Sequence, residues 1–514
     1  MTYFLSIDYG GTKTKAILFD RLGHQVALSS FETLTIEDKP GFREVDLDET
    51  WLAIAESVKS VISKASIEAE EVKAVACIGH GKGLYLLDKL GLLYRNGILS
   101  TDNRAWQLAQ SFEEKIDDIW SMTRQHIVAS QSPVLLRWLK EHEPETYNKI
   151  GSVLSAKDFI RFKLTNIISQ EIGDASGNHW INFETGNYDK NILAFFGILD
   201  CYEALPKLVD YQDIVGRVSQ EAALLTGLAE GTPVIGGLFD IDACALGSGV
   251  LDDRMFSVIS GTWNINSYPS RRVADKDSGQ MTSYFPNRQF LVEASSPTSA
   301  GNLDKIIKII MADEVLNYKQ RGEKSIYDDL EVLLTQTDAS YTPLLFTPFL
   351  YGSNRHQAAT SLFIGMTTAS SKSQMIRAVY EGIAFAHREH IQGLIASKGK
   401  KPEVIRMSGG ATNSKAWIQL FADVLEIPIE TVEGSEIGGL GGAIACLQAI
   451  EHLSLAQAIQ TMVTVKERFV PNSKESLIYT KKYEVYQHLL DQLDPVWESV
   501  KSLQILANKK EGEK

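Results

Sequence analysis

Two similar segments, one in each half of the chain, constrain the fold more than any other feature of the sequence. Residues 3–20 have the pattern of two strands joined by a glycine-rich turn, and residues 255–268 repeat that arrangement. Because an internal repeat indicates a duplicated unit, the sequence predicts two related α/β domains. The boundary is expected near residues 244–252, which divides the chain into residues 1–244 and 245–514.

The length and composition of the chain agree with this division. At 514 residues the chain is too long for one hydrophobic core. It has 44% apolar and 23% charged residues and no apolar run of membrane-spanning length, which is typical of a globular protein outside the membrane. The beginning of the sequence lacks the basic leader of a secretory signal, so we expect a cytoplasmic protein.

Charge and cysteine content exclude two further classes of function. The net charge is −14, whereas binding to nucleic acid needs a basic face, so no nucleic-acid partner is expected. The four cysteines are widely scattered, at the spacing of neither a metal site nor a disulfide framework. We interpret them as small buried hydrophobic residues.

The middle of the chain carries two carboxylates after a short apolar run. Residues 232–235 have the pattern of a buried strand, followed by Gly236, Gly237 and a helix-compatible segment that opens with Asp240. A carboxylate at a strand-to-helix junction lies at the carboxyl edge of a sheet, where α/β proteins bind ligands. The alternative is that Asp240 or Asp242 only caps the helix.

The turn in the first repeated segment is a candidate anion site. It contains Gly10, Gly11 and Thr12, whose exposed backbone N–H groups can approach a phosphate. Asp8 precedes it and can hold a magnesium ion, directly or through water, and Thr12 with Lys13 or Lys15 adds donors. The alternative is an ordinary hairpin turn, for which two glycines are common.

Further polar groups follow other apolar stretches of the first half. His80 and Lys82 lie in a glycine-rich turn after a predicted strand. In residues 98–104, Asp102 and Arg104 stand beside the end of an apolar stretch. Such groups suit the recognition of hydroxyl groups, because each buried donor or acceptor rejects a substrate without its partner. His80 could equally be a satisfied structural histidine, and Asp102 with Arg104 a local ion pair.

The second half contains a third glycine turn. A predicted strand at residues 404–408 leads into Gly409 and Gly410, and Asn413 or Ser414 is expected to cap the following helix. Glycines at such a junction allow a flat ring or a phosphate to approach the backbone closely. An unoccupied strand–helix turn is the alternative.

Three other segments have simpler interpretations. Residues 438–450 predict a small-residue helix, too short to cross a membrane and suited to close helix packing. Residues 174–178 have the composition of a polar loop. The charged tail, residues 508–514, is expected to be disordered.

Together these motifs resemble the FGGY family of carbohydrate kinases, within the wider actin–hexokinase–Hsp70 superfamily. The resemblance covers nearly the whole chain. Its most specific part is residues 361–381, which have the spacing of the family's C-terminal signature. The segments that carry it are residues 8–12, 236–249, 260–263, 361–381 and 408–417.

The resemblance implies a fold and a chemistry. The fold is α/β, with two actin-like (ribonuclease H-like) domains whose mixed sheets are flanked by helices, and with a ligand cleft between them. The expected activity is ATP-dependent phosphorylation of a small-molecule sugar, with Mg²⁺ as the second cofactor. Family members are often dimers, so a homodimer is one expected assembly.

The resemblance also implies a role for each candidate residue. Asp240 would accept the hydroxyl proton, Asp8 would orient magnesium, and Asp242 would then be the helix cap. The expected phosphate contacts are Gly10, Gly11, Thr12, Lys13, Gly261 and Thr262. The expected adenosine contacts are Gly409, Gly410, Ala411 and Asn413. The expected sugar contacts are His80, Lys82, Asp102, Arg104 and Asp240.

Several stretches are most similar to L-xylulose kinases within the family, and they imply L-xylulose as the first candidate sugar. His80 stands where related kinases often have glutamine, so D-xylulose, ribulose, erythritol and glycerol are alternatives. A non-catalytic actin-like sugar sensor is another alternative, against which Asp240 and the two phosphate turns argue. The stretches are residues 81–89, 98–102, 135–145, 236–240, 294–303 and 348–354.

Overall fold

A computed structural model describes residues 1–321 and 325–511. Within these residues the strands, in chain order, are β1 Tyr3–Tyr9, β2 Lys13–Asp20, β3 Gln25–Glu32, β4 Glu44–Val45, β5 Val72–Gly79, β6 Tyr85–Asp88, β7 Gly97–Ile98, β8 Ile150–Leu154, β9 Gln170–Glu171, β10 Ile181–Asn182, β11 Asn187–Tyr188, β12 Leu208–Val209, β13 Ile214–Arg217, β14 Pro233–Ile235, β15 Leu238–Phe239, β16 Met255–Ser260, β17 Asn264–Ser270, β18 Met281–Phe285, β19 Gln289–Ser296, β20 Leu345–Phe346, β21 Phe363–Ile364, β22 Val404–Ser408, β23 Ile429–Val432 and β24 Val465–Phe469.

The α-helices of the same residues are α1 Leu47–Ala65, α2 Trp106–Glu113, α3 Asp117–Thr123, α4 Ser132–His142, α5 Pro144–Tyr147, α6 Ala156–Thr165, α7 Ile172–Gly177, α8 Lys190–Phe195, α9 Gln220–Thr226, α10 Asp240–Gly247, α11 Ala300–Ile310, α12 Ala312–Arg321, α13 Ile326–Gln336, α14 Lys372–Lys398, α15 Lys415–Leu425, α16 Ile437–Glu451, α17 Leu455–Met462, α18 Ser473–Leu493 and α19 Trp497–Glu511.

Contacts within the chain divide it into two compact units. The first consists of Met1–Asp252, Tyr268–Val292 and Glu433–Thr464, and the second of Asp253–Ser267, Glu293–Val432 and Val465–Lys514. The first unit therefore includes two segments from the second half of the chain. The predicted division into residues 1–244 and 245–514, made by a single cut, stays a prediction.

The first unit is built on a mixed sheet with the strand order β13–β14–β5–β1–β2–β3, and β15 pairs with the end of β5. Strands β1, β14 and β15 are parallel to β5, whereas β2 is antiparallel to β1. Side chains alternate between the two faces of a strand. Leu5 and Ile7 accordingly join the core cluster that contains Trp51 of α1, while Ser6 Oγ donates to the carbonyl of Gly439 in α16, 2.6 Å away.

Helices α10 and α16 of this unit pack backbone against backbone. A Cβ atom on Gly247 would stand 1.9 Å from the carbonyl oxygen of Ile437, and one on Gly441 would stand 2.0 Å from that of Ala243. Real Cβ contacts of that length do not occur. Close packing, as the small-residue pattern of residues 438–450 predicts, thus depends on glycine at both positions.

The sheet of the second unit repeats the plan of the first. Its strands have the order β19–β17–β16–β22–β23–β24. As with β1, β2 and β5, a hairpin of antiparallel strands (β16 and β17) is followed by a strand (β22) parallel to the first strand of the hairpin. The duplicated α/β architecture predicted from the sequence is therefore confirmed.

Two local predictions are wrong, and one open alternative is decided. Residues 174–178 are not a loop, because α7 extends to Gly177 with Glu171 accepting hydrogen bonds from its first N–H groups. Asp242 does not cap α10, since the helix begins at Asp240 and Phe239 holds the N-cap position. Of the two candidate caps of α15, it is Ser414 that accepts from the N–H of Trp417, at 3.0 Å.

Two further expectations concern the C-terminal tail and membrane-spanning segments. Helix α19 extends to Glu511 and so includes part of the tail for which disorder is expected. Residues 512–514 of that tail lie outside the described residues. Among the described helices, none combines the length and the apolar character needed to span a bilayer.

Candidate active site

The register of the first sheet aligns three segments that were singled out from the sequence. Gly79 at the end of β5 pairs with Tyr9 of β1 on one side and with Phe239 of β15 on the other. All three strands are parallel, so the residues that follow this row leave the sheet at the same carboxyl edge. Those residues are Gly10, His80 and Asp240.

Glycine at two positions allows the segment that carries Asp240 to approach β5. Gly237 has a φ of +82°, and a Cβ on it would stand 2.1 Å from the carbonyl oxygen of Cys77. A Cβ on Gly236 would stand 2.1 Å from the carbonyl oxygen of Asp210. Asp240 is then the first residue of α10, where the helix dipole stabilises a negative charge.

Asp8 lies near the same helix. Its Oδ2 atom would be 3.7 Å from a Cβ on Gly438, and Sγ of Cys244 in α10 would be 3.4 Å from that point. Burial raises the pKa of the Asp8 carboxyl to about 6, although the positive charge of Lys15 opposes this shift. Burial raises the pKa of the Cys244 thiol as well, with smaller contributions from the charges of Asp240 and Asp8.

Lys15 is not available as a free phosphate donor in this arrangement. Its Nζ forms an ion pair with Glu436 at 2.6 Å. The turn before it is tight, since the N–H of Gly10 donates to the carbonyl of Lys13 at 3.1 Å. Lys13 itself is exposed at the start of β2. The turn therefore offers the backbone of Gly11 and Thr12 and one exposed cation.

His80 is held by a buried network of aromatic side chains. Its Nε2 lies 3.0 Å from the hydroxyl of Tyr85, and its Nδ1 lies 3.2 Å from the carbonyl oxygen of Gly81. Burial lowers the pKa of His80 to about 4, so the ring is neutral near pH 7. Neutral His80 then donates from Nδ1 to Gly81 and accepts from Tyr85 through Nε2.

Lys82 differs from its neighbours in the same turn. Its backbone is left-handed, with a φ of +65°, which is unusual for a residue with a side chain. Its side chain makes no hydrogen bond or ion pair with any of the described residues. The turn is fixed directly after Lys82, because the N–H of Gly83 donates to the carbonyl of Ser130 and the hydroxyl of Ser132 donates to the carbonyl of Gly83, both at 2.7 Å.

Asp102 and Arg104 are brought together, but their polar atoms are largely used within the protein. Arg104 pairs with Asp102 at 2.8 Å and with Glu44 at 2.7 Å, and its side chain is fully buried. Asp102 also accepts from the N–H of Arg43 at 2.7 Å. The guanidinium stacks 4.0 Å from the ring of Phe42. This geometry favours the local ion pair, and contact with sugar stays a prediction for both residues.

In the second unit, the second phosphate turn and the third glycine turn lie against each other. The carbonyl oxygen of Ser260 is 2.6 Å from the point where a Cβ on Gly409 would stand, and Gly409 has a φ of +91°. A side chain at this position would force the two turns apart. The N–H of Gly261 donates to the carbonyl of Trp263 at 3.2 Å, which closes the phosphate turn. Gly410, Ala411 and Asn413 form the 3₁₀ turn that precedes α15.

Two features of the site were missed in the sequence. Gly301 at the start of α11 lies against the second phosphate turn, since its Cβ would be 3.1 Å from Cγ2 of Thr262. The single glycine carries no signal of this proximity. In the first unit, the buried side chain of Arg161 donates to the carbonyl of Gly236, close to Asp240. The sequence does not single out Arg161, because the same segment, residues 156–164, also contains Lys157, Asp158 and Lys163.

Arg161 is part of a cluster of five buried charged side chains. The Nζ of Lys157 is 2.8 Å from Asp158, 3.5 Å from Glu171 and 3.8 Å from Asp174. Arg161 pairs with Asp158 at 2.6 Å. Burial raises the pKa of Asp174 to about 7, whereas the positive charge of Lys157 opposes this shift. Through the bond of Arg161 to the Gly236 carbonyl, the cluster contacts the backbone that leads to Asp240.

Comparison with known proteins agrees with this geometry. Residues 3–247 match the N-terminal domain of the FGGY family of carbohydrate kinases, and residues 256–450 match its C-terminal domain. The L-xylulose/3-keto-L-gulonate kinase of Escherichia coli (strain K12) is 32% identical over 497 residues, which cover 96% of this chain and 97% of that protein. A probable L-xylulose kinase of Pasteurella multocida (strain Pm70) is also 32% identical, over 96% of this chain and 99% of that protein.

A solved structure has the same fold. The ligand-bound xylulose kinase from Lactobacillus acidophilus superposes with a TM-score of 0.88 at 23% identity, over 97% of this chain and 100% of that chain. The fold and the sequence matches together define a carbohydrate kinase, a phosphotransferase that uses ATP and a sugar hydroxyl. The chain belongs to the FGGY family of carbohydrate kinases.

Proposed function

We propose that this kinase transfers the γ-phosphoryl group of ATP to a terminal hydroxyl of a ketopentose, with L-xylulose as the first candidate. One observation carries the assignment of the site. The row Tyr9–Gly79–Phe239 directs Gly10, His80 and Asp240 to a single sheet edge. A phosphate turn and a carboxylate base are groups that such a transfer needs at one place, and the segment of His80 lies beside them. The sugar itself is inferred from the two L-xylulose kinase relatives.

Asp240 acts as the base. As the sugar oxygen attacks the γ-phosphorus, the bond from that phosphorus to the bridging oxygen of ADP breaks, and the hydroxyl proton passes to the Asp240 carboxylate. A positioned base contributes about 10² to 10⁴ in rate. The rest of the catalysis comes from orientation and from donors aimed at the phosphoryl oxygens, because phosphoryl transfer needs little covalent chemistry from the protein.

Asp8 fits the requirements of a magnesium ligand. Its carboxylate makes no hydrogen bond or ion pair with the described residues, and a hard cation prefers such an oxygen. Among the described residues there is no group of three candidate ligands. This suits Mg²⁺, which proteins usually hold through one or two carboxylates together with substrate phosphates. When bound, the ion neutralises charge on the phosphates.

Backbone groups of glycine turns bind the nucleotide. The first turn consists of Gly10, Gly11 and Thr12, with Lys13 as a nearby cation; because Gly10 uses its N–H within the turn, Gly11 and Thr12 are the backbone donors. In the second unit, Gly261 and Thr262 bind phosphate. The adenosine lies against Gly409, Gly410, Ala411 and Asn413, where the absence of side chains at the glycines leaves the backbone accessible.

A sugar acid is the second candidate substrate, and Lys82 favours it. The unpartnered ammonium group of Lys82 is two residues from His80, in a turn that is held in place at the next residue, Gly83. A carboxylate on the substrate would give this cation a charge-assisted partner. The E. coli relative is named for 3-keto-L-gulonate as well as for L-xylulose, so we include keto acids of this type among the substrates.

The test is ATP-dependent phosphorylation of a panel of ketopentoses, polyols and keto sugar acids by the wild type, Asp240→Asn and Lys82→Met. We expect L-xylulose to dominate among neutral sugars and Asp240→Asn to lose at least about 10²-fold in kcat. If Lys82 binds a carboxylate, Lys82→Met raises KM for sugar acids but not for L-xylulose. Turnover of another sugar with none of L-xylulose would refute the assigned sugar, and full activity in Asp240→Asn would refute the base. ATP binding without any turnover would favour the sensor.

A further inference from the structure

A chain of buried polar side chains lies behind the second phosphate turn. Ser260, the last residue of β16, begins that turn, and Ser299 directly precedes α11. His387 lies in α14 and Asn266 in β17. All four residues belong to the second unit, and all four are fully buried.

The four side chains are linked end to end by hydrogen bonds. Oγ of Ser260 is 2.9 Å from Oγ of Ser299. Oγ of Ser299 is 3.0 Å from Nε2 of His387. On the other side of the ring, Nδ1 of His387 is 3.0 Å from Oδ1 of Asn266. A path of three hydrogen bonds therefore connects the phosphate turn to the middle of α14.

The direction of each hydrogen bond follows from its neighbours. The amide nitrogen of Asn266 donates to Oδ1 of Asn264 at 2.7 Å and to the carbonyl of Ala294 at 3.2 Å. Its Oδ1 is thus the acceptor that faces His387. Burial lowers the pKa of His387 well below its ordinary value, so the ring is neutral and carries one proton, on Nδ1.

The remaining two bonds then have only one arrangement. Because Nε2 of His387 has no proton, it accepts from the hydroxyl of Ser299. The hydroxyl of Ser299 has used its hydrogen, so Ser260 donates to Ser299. The Ser260 hydroxyl is thereby directed away from the turn, towards the interior of the unit. A serine with a free hydroxyl at this position could rotate and compete for the N–H groups of its own turn.

The backbone of Ser260 also packs against the third glycine turn. Its carbonyl oxygen lies against Gly409, as described above. At the other end of the bond, Ser299 is followed by Ala300 and by Gly301, which contacts Thr262. One hydrogen bond between two serine hydroxyls therefore connects the strand end, the phosphate turn and the start of α11.

We propose that Ser299 and His387 are positioning residues for nucleotide binding: through Ser260 they hold the second phosphate turn in the conformation that receives the phosphates of ATP. This inference rests on the assignment of that turn to phosphate in the proposed function. Neither residue touches the nucleotide. Their contribution is preorganisation, because a turn that is already ordered loses less conformational freedom when a ligand binds.

The variant Ser299→Ala tests this role with little disturbance to the fold. Ser299 is the N-cap residue of α11, but its side chain makes no capping bond, so alanine removes only the two bonds of the chain described above. The matched control is Ser257→Ala. Ser257 lies on the same strand as Ser260, is equally buried, and its hydroxyl has no hydrogen-bond partner within the described residues.

The measurements are Kd for ATP by calorimetry, KM for ATP and for the sugar, and Tm. We expect Ser299→Ala to raise Kd and KM for ATP by about three- to tenfold, the range for one buried hydrogen bond, and to leave KM for the sugar unchanged. Ser257→Ala should change none of the three constants. If Ser299→Ala does not fold, Ser260→Ala breaks the same bond from the other side and is measured in its place.

The outcomes separate this inference from the proposed function. Unchanged Kd for ATP in Ser299→Ala, an equal change in Ser257→Ala, or an equal change in KM for the sugar would each refute the positioning role. If the wild type binds ATP but phosphorylates no sugar, the proposed function fails while Kd for ATP still decides the role of Ser299. If the wild type binds no ATP, both are refuted.

Discussion

The ring of Phe239 occupies the space that a side chain at Gly81 would need. A Cβ atom on Gly81 would stand 2.3 Å from Cε2 of Phe239, well below any real contact of this kind. Phe239 directly precedes Asp240, and Gly81 directly follows His80. The segment that carries Asp240 and the segment that carries His80 thus meet at a position that tolerates only hydrogen.

Gly81→Ala should therefore impair catalysis more than stability. The added methyl group pushes the Phe239 ring and with it the start of α10, and a displacement of about 1 Å in a catalytic group can reduce the rate about 10²-fold. We expect kcat to fall by one to two orders of magnitude by this reasoning. Steady-state kinetics with the preferred sugar, together with Tm, make the measurement.

Gly177→Ala is the matched control for that variant. Gly177 faces the same ring, but its Cβ would stand 3.9 Å from Cε1 of Phe239, an ordinary van der Waals distance. We expect its kcat to stay within about twofold of the wild type, since no atom has to move. Equal losses in the two variants would show that the contact of Gly81 with Phe239 has no special role.

His80 should make the protein sensitive to acid. Burial lowers the pKa of His80 to about 4, whereas the unfolded chain has its ordinary value near 6.5. Between these values the unfolded state binds the proton more readily, so the stability associated with the neutral ring is present above pH 6.5 and is lost as pH falls towards 4. From pH 8 to pH 5 this amounts to about 2 kcal/mol for one such group.

His80→Gln removes that titration. We expect the difference in the free energy of unfolding between pH 8 and pH 5 to be smaller in this variant than in the wild type by about 2 kcal/mol, measured by urea denaturation. His488→Gln replaces an exposed histidine and serves as control. The buried location of His80 would be contradicted if both variants had the pH dependence of the wild type.

The sequence was sufficient to predict the fold because the relevant signals are local. The hairpin of β1 and β2 and the glycine-rich α16 each follow from periodicity and turn residues within a few positions. Where prediction failed, a longer-range partner decided the result. Residues 174–178 have the composition of a loop, yet Glu171 is the N-cap of α7, which extends to Gly177. The buried charge of Lys157 lies 3.8 Å from Asp174.

The site was predictable to the level of segments but not of side-chain contacts. Asp8 lies near the end of a strand and His80 and Asp240 directly follow strands. Their common edge could be anticipated from these positions alone. The ion pair of Arg104 with Asp102 was one of two alternatives, but the pairing of Arg104 with Glu44 could not be anticipated, because it depends on how β4 lies against β7. Likewise, nothing near Ser260 in the sequence indicates that its partner is Ser299.

We expect Lys157→Met, a substitution in the buried charge cluster of Lys157, Asp158, Arg161, Glu171 and Asp174, to lower the free energy of unfolding strongly. Lys157 is fully buried, and its removal leaves Asp158, Glu171 and Asp174 with Arg161 as the remaining cation of the cluster. Breaking a buried ion pair from one side costs about 3–5 kcal/mol, because the remaining charge stays desolvated. Lys415→Met removes one partner of a surface pair, since the Lys415 side chain is 69% exposed, and should cost at most about 1 kcal/mol. Denaturation in urea at pH 8 compares the two variants, and a loss in Lys157→Met no greater than in Lys415→Met would mean that the cluster does not depend on this cation.

The stability of Lys157→Met should recover in part at pH 6. Asp174, whose pKa is already raised to about 7, can then take up a proton and remain neutral.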